Sequence, residues 1–342
     1  MNIENKLLKQ TSLEKLIVKL KEEGKQIFAP VIKNDQVEFA EISAMQEMTE
    51  DYIVTVQSAK AVVFPKVEKL FDFQTTKDNV TIVEKDINAI PEIVLLGARP
   101  CDAAGFDALN AIFTWDHLND NIFVERLKKT TIIGISCSKF DGKCFCTSVN
   151  GNPGATKGSD ILLTKIENGN YLAEIITEKG QAIVTKYSDL FEVATEVDKK
   201  KFIADVPVKF DLKIILDKIP GAFENKVWVK QSLRCISCGA CAYVCPTCAC
   251  FDIQDINNGH EGHRKRSWDS CGFGLFTIHT SGHNPREVQS QRWRQRVMHK
   301  FAYMPERQQV VGCVGCGRCS RSCPADMNLK EHLINLAEEV AK

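Results

Sequence analysis

The sequence predicts an α+β chain in two parts, a mixed α/β domain over residues 1–225 and a helical, cysteine-rich domain over 226–342. Three observations carry this. Between residues 93 and 136 a strand, a loop, a helix and a second strand follow in the βαβ rhythm. Eleven of the 15 cysteines lie between Cys235 and Cys323, and none precedes Cys101. Charge divides in the same place. The 342 residues hold 44 basic and 44 acidic side chains, but 16 basic and 10 acidic ones lie in 226–342, so a zero total hides halves of −6 and +6.

The elements follow in order. Thr11 and Glu14 make a capping box, Leu13, Leu16, Ile17 and Leu20 an apolar stripe, and Gly24 a stop, which together predict the first helix. β-rich runs are expected at Gln26–Ile32, Val37–Ile42, Ile93–Leu96, Thr130–Ser136, Ile161–Ile166 and Tyr171–Ile176, with helices over Asp102–Phe113 and Asn121–Lys129. The two prolines of 205–225 mark the passage between domains. Further on, Asn284 as N-cap, Pro285 at the first helical position and Glu287 predict a helix running through Val288, Trp293, Val297, Met298 and Phe301. A last helix is expected over Leu329–Val340.

Several classes of function are disfavoured. A neutral total lacks the standing positive field of a nucleic-acid or membrane-surface binder. No run reaches the ~18 apolar residues that span a bilayer, and Met1–Lys6 has no signal-peptide core. A cytoplasmic protein is expected, where thiols stay reduced and 15 cysteines point to metal rather than to disulfides.

Two runs share one spacing. Cys235, Cys238, Cys241 and Cys245 form C-x2-C-x2-C-x3-C followed by Pro246, and Cys313, Cys316, Cys319 and Cys323 repeat it before Pro324. This is the bacterial ferredoxin pattern, in which three cysteines hold one [4Fe–4S] cluster and the fourth serves the other. Three thiolates on one tight turn need small residues beside them, here Gly239 and Gly317. Zinc sites use cysteine pairs rather than quartets ending in Cys-Pro. The 67 residues between Cys245 and Cys313 exceed the gap of a compact ferredoxin. In this the region resembles the α-helical ferredoxin domain of respiratory iron–sulfur subunits. The expected ligand sets are Cys235, Cys238, Cys241 and Cys323 for one cluster, and Cys313, Cys316, Cys319 and Cys245 for the other.

Seven cysteines remain. Cys101 sits between a strand and a helix N-terminus, where free N–H groups favour a thiolate. Cys137 ends another strand, and Cys144 and Cys146 follow on a short loop. Four thiols at the ends of two adjacent strands predict a third [4Fe–4S] cluster, against scattered core cysteines or a reactive pair. Cys248, Cys250 and Cys271 are expected to pack around a cluster, with alternative ligation or a substrate-reactive set as the other readings.

From about residue 93 to 325 the chain resembles a family of iron–sulfur subunits that groups the A-type component of anaerobic sulfite reductase with the β subunit of sulfhydrogenase (soluble NiFe hydrogenase). The matching words are Gly97-Ala-Arg-Pro-Cys101-Asp102, Cys144-Phe-Cys146-Thr-Ser148, Arg234-Cys235-Ile-Ser-Cys238-Gly239, Cys245-Pro-Thr-Cys248, Trp268-Asp-Ser-Cys271, Arg294-Gln-Arg296-Val-Met-His299-Lys300 and Cys313-Val-Gly-Cys316-Gly-Arg-Cys319. The resemblance implies an electron-transfer role, with an NAD(P)H-oxidising flavoprotein subunit on one side and a separate catalytic metalloenzyme subunit on the other. It also implies that Cys101, Cys137, Cys144 and Cys146 act together.

Other motifs are weaker. No G-x-G-x-x-G follows a strand, so no flavin or nicotinamide site is expected. The loop Gly151–Ser159 reverses the Gly-Lys order of a P-loop. His260-Glu-Gly-His263 is one residue short of a zincin motif. Arg264, Lys265, Arg266, Arg286, Arg292, Arg294, Arg296 and Lys300 are expected to balance anionic clusters or to dock an acidic partner, with a solvated helix face as the alternative. Two other functions stay open: a cluster-linked thiol or sulfur reductase, and an iron–sulfur nucleic-acid module, whose affinity would fall steeply with salt.

Overall fold

The computed structural model describes residues 3–194 and 196–339. Its main sheet has eight strands in the order β10-β1-β9-β8-β7-β6-β2-β3. The strands are β1 Glu4–Leu8, β2 Gln26–Lys33, β3 Gln36–Glu41, β6 Ile93–Ala98, β7 Thr130–Ile135, β8 Ile161–Lys165, β9 Tyr171–Ile175 and β10 Phe191–Val193. β2, β6, β7 and β8 are parallel, and antiparallel strands complete both flanks. The sheet is therefore mixed, in an α+β arrangement, and all six expected strands belong to it.

Alternation explains how both faces are covered. In β6 the side chains of Val94 and Leu96 join the core under the helix Gln10–Glu22, while Ile93 and Leu95 join the core under the helices Pro100–Phe113 and Asn121–Lys128. Parallel strands buried on both faces read as near-continuous apolar runs, which is why Ile-Val-Leu-Leu was legible. The connection from β6 through these two helices to β7 leaves Cys101 and Cys137 beyond the carboxyl ends of neighbouring strands. Open α/β sheets bind their ligands at such ends.

Four further strands form a second sheet, β11-β12-β4-β5, from β4 Val67–Thr75, β5 Val80–Glu84, β11 Phe251–Asn257 and β12 Glu261–Trp268. It joins a hairpin from early in the chain to one from the cysteine-rich region, through β12 and β4. At its base the buried Glu68 accepts from Arg266 at 2.7 Å and from Lys85 at 2.7 Å, and it also pairs with Arg126. Burial works to raise the Glu68 carboxyl, but the bonds from Arg126 and Lys85 prevail and hold it at about 2. A third core collects Leu212, Ile215, Trp228, Trp293, Val297, Phe301 and Leu333, with Cys235, Cys313, Cys319 and Cys323 packed against it.

Two helix starts differ from expectation. The first helix begins at Gln10 with Lys9 as its N-cap and no side-chain cap. The strand β1 runs almost directly into it, so the backbone turns before Thr11 can cap. The arginine-rich helix starts at Gln289, with Val288 at the N-cap position donating its N–H to Gln291 Oε1 at 3.1 Å. Asn284 instead accepts from Thr277 Oγ1 at 2.8 Å and from Arg286 N at 3.0 Å, which stabilises the preceding loop.

Replacing Glu68 by Gln leaves Arg126 buried without a counter-charge and Arg266 with Asp120 alone, and is expected to cost about 3–5 kcal/mol, read by denaturant titration. The ordinary value for this carboxyl is 4.5 and its folded value about 2. Its support is therefore fully present above pH 4.5 and lost as the pH falls toward 2.

Candidate iron–sulfur centre

The two cysteine runs fold alike. In the first, Ser237 and Gly239 have φ of +55° and +73°, and a four-residue helix Ala240–Tyr243 follows. In the second, Gly315 and Gly317 occupy the same positions with φ of +64° and +72°, ahead of the helix Arg318–Arg321. In each run a left-handed glycine leads into right-handed helical residues, a change of hand that turns successive N–H groups toward one point, a concavity suited to an anion. Gly315 N accordingly lies 3.5 Å from Cys313 Sγ, and Met327 N lies 3.3 Å from Cys323 Sγ.

Cys235, Cys238, Cys241 and Cys323 line one cavity, closed by Trp293, Arg296 and Met327. The fourth thiol of the second run thus faces the first three of the other run, and Cys319 reaches the same wall. Cys245 and Cys319 lie close enough to Cys313 and Cys316 to act on both electrostatically, and the two short helices pack together. Burial pushes the Cys313 thiol up to about 12 and Cys316 to about 11, and thiolate charge at Cys245 and Cys319 works the same way on both.

Cys101, Cys137, Cys144 and Cys146 line a separate cavity at the carboxyl ends of β6 and β7, with Cys316 in its wall. Burial raises the Cys137 thiol to about 12 and Cys146 to about 11, and raises Cys101 strongly. Such thiols stay protonated unless a metal displaces the proton. The turn of the second run is pressed against this loop. A Cβ at Gly315 would fall 2.5 Å from Cys146 N, and one at Gly317 would fall 2.4 Å from Lys143 O. Among the described residues, no three Cys, His, Asp or Glu side chains converge on a point close enough for a single metal ion.

The surrounding charge tests whether these residues suit an anionic cluster. Four cations are buried with no carboxylate partner among the described residues: Arg99, which donates to Ser136 O at 2.9 Å and Glu50 O at 3.1 Å, and three that stand around the thiols of the two runs. Lys300 donates to Cys245 Sγ at 3.4 Å, to Thr247 Oγ1 at 2.9 Å and to Gly312 O at 2.7 Å. Arg296 donates to Cys248 Sγ at 3.5 Å and to Cys241 O at 2.7 Å. Lys60 donates to Ala242 O at 3.1 Å and to Cys248 O at 3.0 Å, and lies 4.0 Å above the Trp268 ring. By contrast the buried Arg318 pairs with Asp102 at 2.7 Å. Buried charge without a partner is costly, so the three cations call for a buried anion among the thiols. Thiolate-ligated iron–sulfur clusters fit that demand.

Known proteins are similar to the chain in sequence. Residues 234–327 match the family model of a 4Fe–4S dicluster domain. The sulfhydrogenase 2 subunit β of Pyrococcus furiosus is 32% identical over 315 residues, covering 90% of both chains. The chain belongs to the sulfhydrogenase β-subunit family. No solved structure matches it. Membership makes this an iron–sulfur protein of electron transport, and no helix among the described residues is long and apolar enough to cross a membrane.

In this family member the arginine-rich region divides. Arg266 pairs with Glu68, Arg264 with Asp255 at 2.7 Å, and Arg294 stacks 3.6 Å over Phe223, while Arg296 and Lys300 face thiols. It is therefore no continuous solvated face. His260 is exposed in the β11–β12 turn. Residues Asn150, Gly151, Asn152 and Lys157 border a cavity shared with Cys101, Cys146 and Cys313, so that loop lies against the thiol sites. Lys60 is a site residue that sequence reasoning missed. Its signal was a lone lysine inside the apolar run Ala59–Phe64.

Gly315→Ala is expected to cost about 1–3 kcal/mol through its left-handed φ alone, and more because its Cβ meets backbone. Amide hydrogen exchange should rise across residues 143–147, where an unaffected loop would show no change.

Proposed function

We propose that the chain is an electron relay linking an NAD(P)H-oxidising flavoprotein subunit to a catalytic metalloenzyme subunit. The relay runs through two [4Fe–4S] clusters in an α-helical ferredoxin domain over 226–342 and a third in the domain over 1–225. The ligands in this reading are Cys235, Cys238, Cys241 and Cys323; Cys245, Cys313, Cys316 and Cys319; and Cys101, Cys137, Cys144 and Cys146. The observation that carries it is the trio of buried, carboxylate-free cations around the thiols. A bound cluster supplies one-electron oxidation and reduction at a potential set by its surroundings.

The chain's own residues do the rest. Lys300 donates to Cys245 Sγ and Arg296 lines the first cavity, so both place positive charge beside ligand thiolates, which favours the reduced, more negative state. Trp293, Met327 and Leu329 keep water from the first cavity. Arg321, held by Asp141 at 2.9 Å, donates to Cys144 Sγ at 3.2 Å and does the same for the N-terminal set. Work within a multi-subunit complex is supported by the relative's designation as a subunit β.

Pure, fully loaded protein is expected to contain about twelve iron atoms per chain, against about eight for two clusters alone. Cys137→Ser should remove about four of them, as read by iron analysis and EPR. The isolated chain should oxidise no NADH until a flavoprotein subunit is added. Turnover by a flavin-free preparation would overturn the relay.

A further inference from the structure

Three thiols belong to none of these ligand sets, and two of them meet. Cys250 immediately precedes β11 and Cys271 follows β12, and the hairpin register Phe251↔Trp268 brings their segments side by side. The ladder continues one step, with Asp269 N donating to Cys250 O at 3.0 Å. A turn then folds the chain back, with Phe273 N on Ser270 O at 3.0 Å and Gly272 N on Ser270 Oγ at 3.1 Å. As a result Cys271 comes beside Cys250, close enough that its thiol and backbone N–H both act on the Cys250 sulfur. Both residues are only partly buried.

The same turn lies on the first cysteine run. A Cβ at Gly239 would fall 3.1 Å from Ser270 Cβ, and Gly272 lines the cavity of Cys235, Cys238 and Cys241. Through Cys271 the pair is thus next in the chain to Gly272 in the wall of the thiol-lined cavity, in residues that are neither fully buried nor exposed. Neither thiol takes part in packing of the three main cores.

We propose that Cys250 and Cys271 are a redox-active dithiol that closes to a disulfide, a two-electron store beside the first cavity. On oxidation two S–H bonds break and one S–S bond forms. Two protons go to solvent, and two electrons leave singly to one-electron acceptors, the class that includes oxidised iron–sulfur clusters and viologens. Reduction reverses each step. The pair so placed converts between two-electron and one-electron chemistry, and it would take a small disulfide or sulfane-sulfur compound as its two-electron partner. Thiolate character at Cys250, lowered to about 6 mainly by the Cys271 thiol bond, suits it to thiol–disulfide exchange. The electron route rests on the relay proposed above, but the dithiol itself does not.

The test equilibrates the anaerobic holoprotein with buffers of reduced and oxidised dithiothreitol, then acid-quenches, alkylates and maps peptides by mass spectrometry. Oxidising buffers should yield a Cys250–Cys271 cross-link lighter by two hydrogens, and reducing buffers two alkylated residues, with iron content unchanged. Cys250→Ser and Cys271→Ser should each abolish the transition and keep all iron. Alkylation of both residues in every buffer would overturn the proposal, as would iron loss in either variant, which would mark them as ligands. Mapping the unaltered protein needs no variant to fold. Iron-free wild-type protein would defeat the relay alone, because the cross-link is read by mass.

Discussion

A buried ion pair ties the second cysteine run to the start of the helix after β6. Asp102, at the start of the helix after β6, accepts from Arg318 between Cys316 and Cys319, and both side chains are at most 1% exposed. Arg318 also donates to Thr55 O at 2.8 Å and to Thr55 Oγ1 at 3.0 Å. Each partner adjoins a cysteine on its own side, Cys101 for Asp102. The pair therefore sets the register between the N-terminal thiol cavity and the second cysteine run. A fully desolvated guanidinium held at several points tolerates little sliding. The contacts of Gly315 and Gly317 with residues 143–146 depend on that register.

Buried charge around the thiols follows a second logic. Arg318, Arg266 and Arg126 have carboxylates and act as structural ties. Lys60, Lys300 and Arg296 have sulfur, hydroxyl and carbonyl partners instead. The contrast separates cations that hold the fold from those that balance thiolates. It also shows why zero net charge for the whole chain says little about any one site, since local pairing decides the field within a few ångströms.

Much of this was legible in sequence, for identifiable reasons. The parallel strands were found because both of their faces are buried and their apolar runs are unbroken. The helix starts at Thr11 and Asn284 were misplaced because a capping side chain competes with tertiary position. Strand β1 overrides Thr11, and the loop before Gln289 uses Asn284 for itself. β4, β5, β11 and β12 were not read. Their residues alternate weakly, β5 and β11 are exposed along their whole length, and the partner of β12 lies nearly 200 residues away in the chain, as in Arg266↔Glu68.

The sequence by itself determined which residues have thiol chemistry and how each run must turn, because C-x2-C-x2-C-x3-C-P with its glycines is a local instruction carried by φ and spacing. It also placed Cys101 and Cys137 at adjacent strand ends. Only the tertiary structure decided which thiols share a cavity, which cations stand beside them, and that Cys250 meets Cys271. Those outcomes depend on strand register across a hairpin and on one buried Asp–Arg contact between segments more than 200 residues apart.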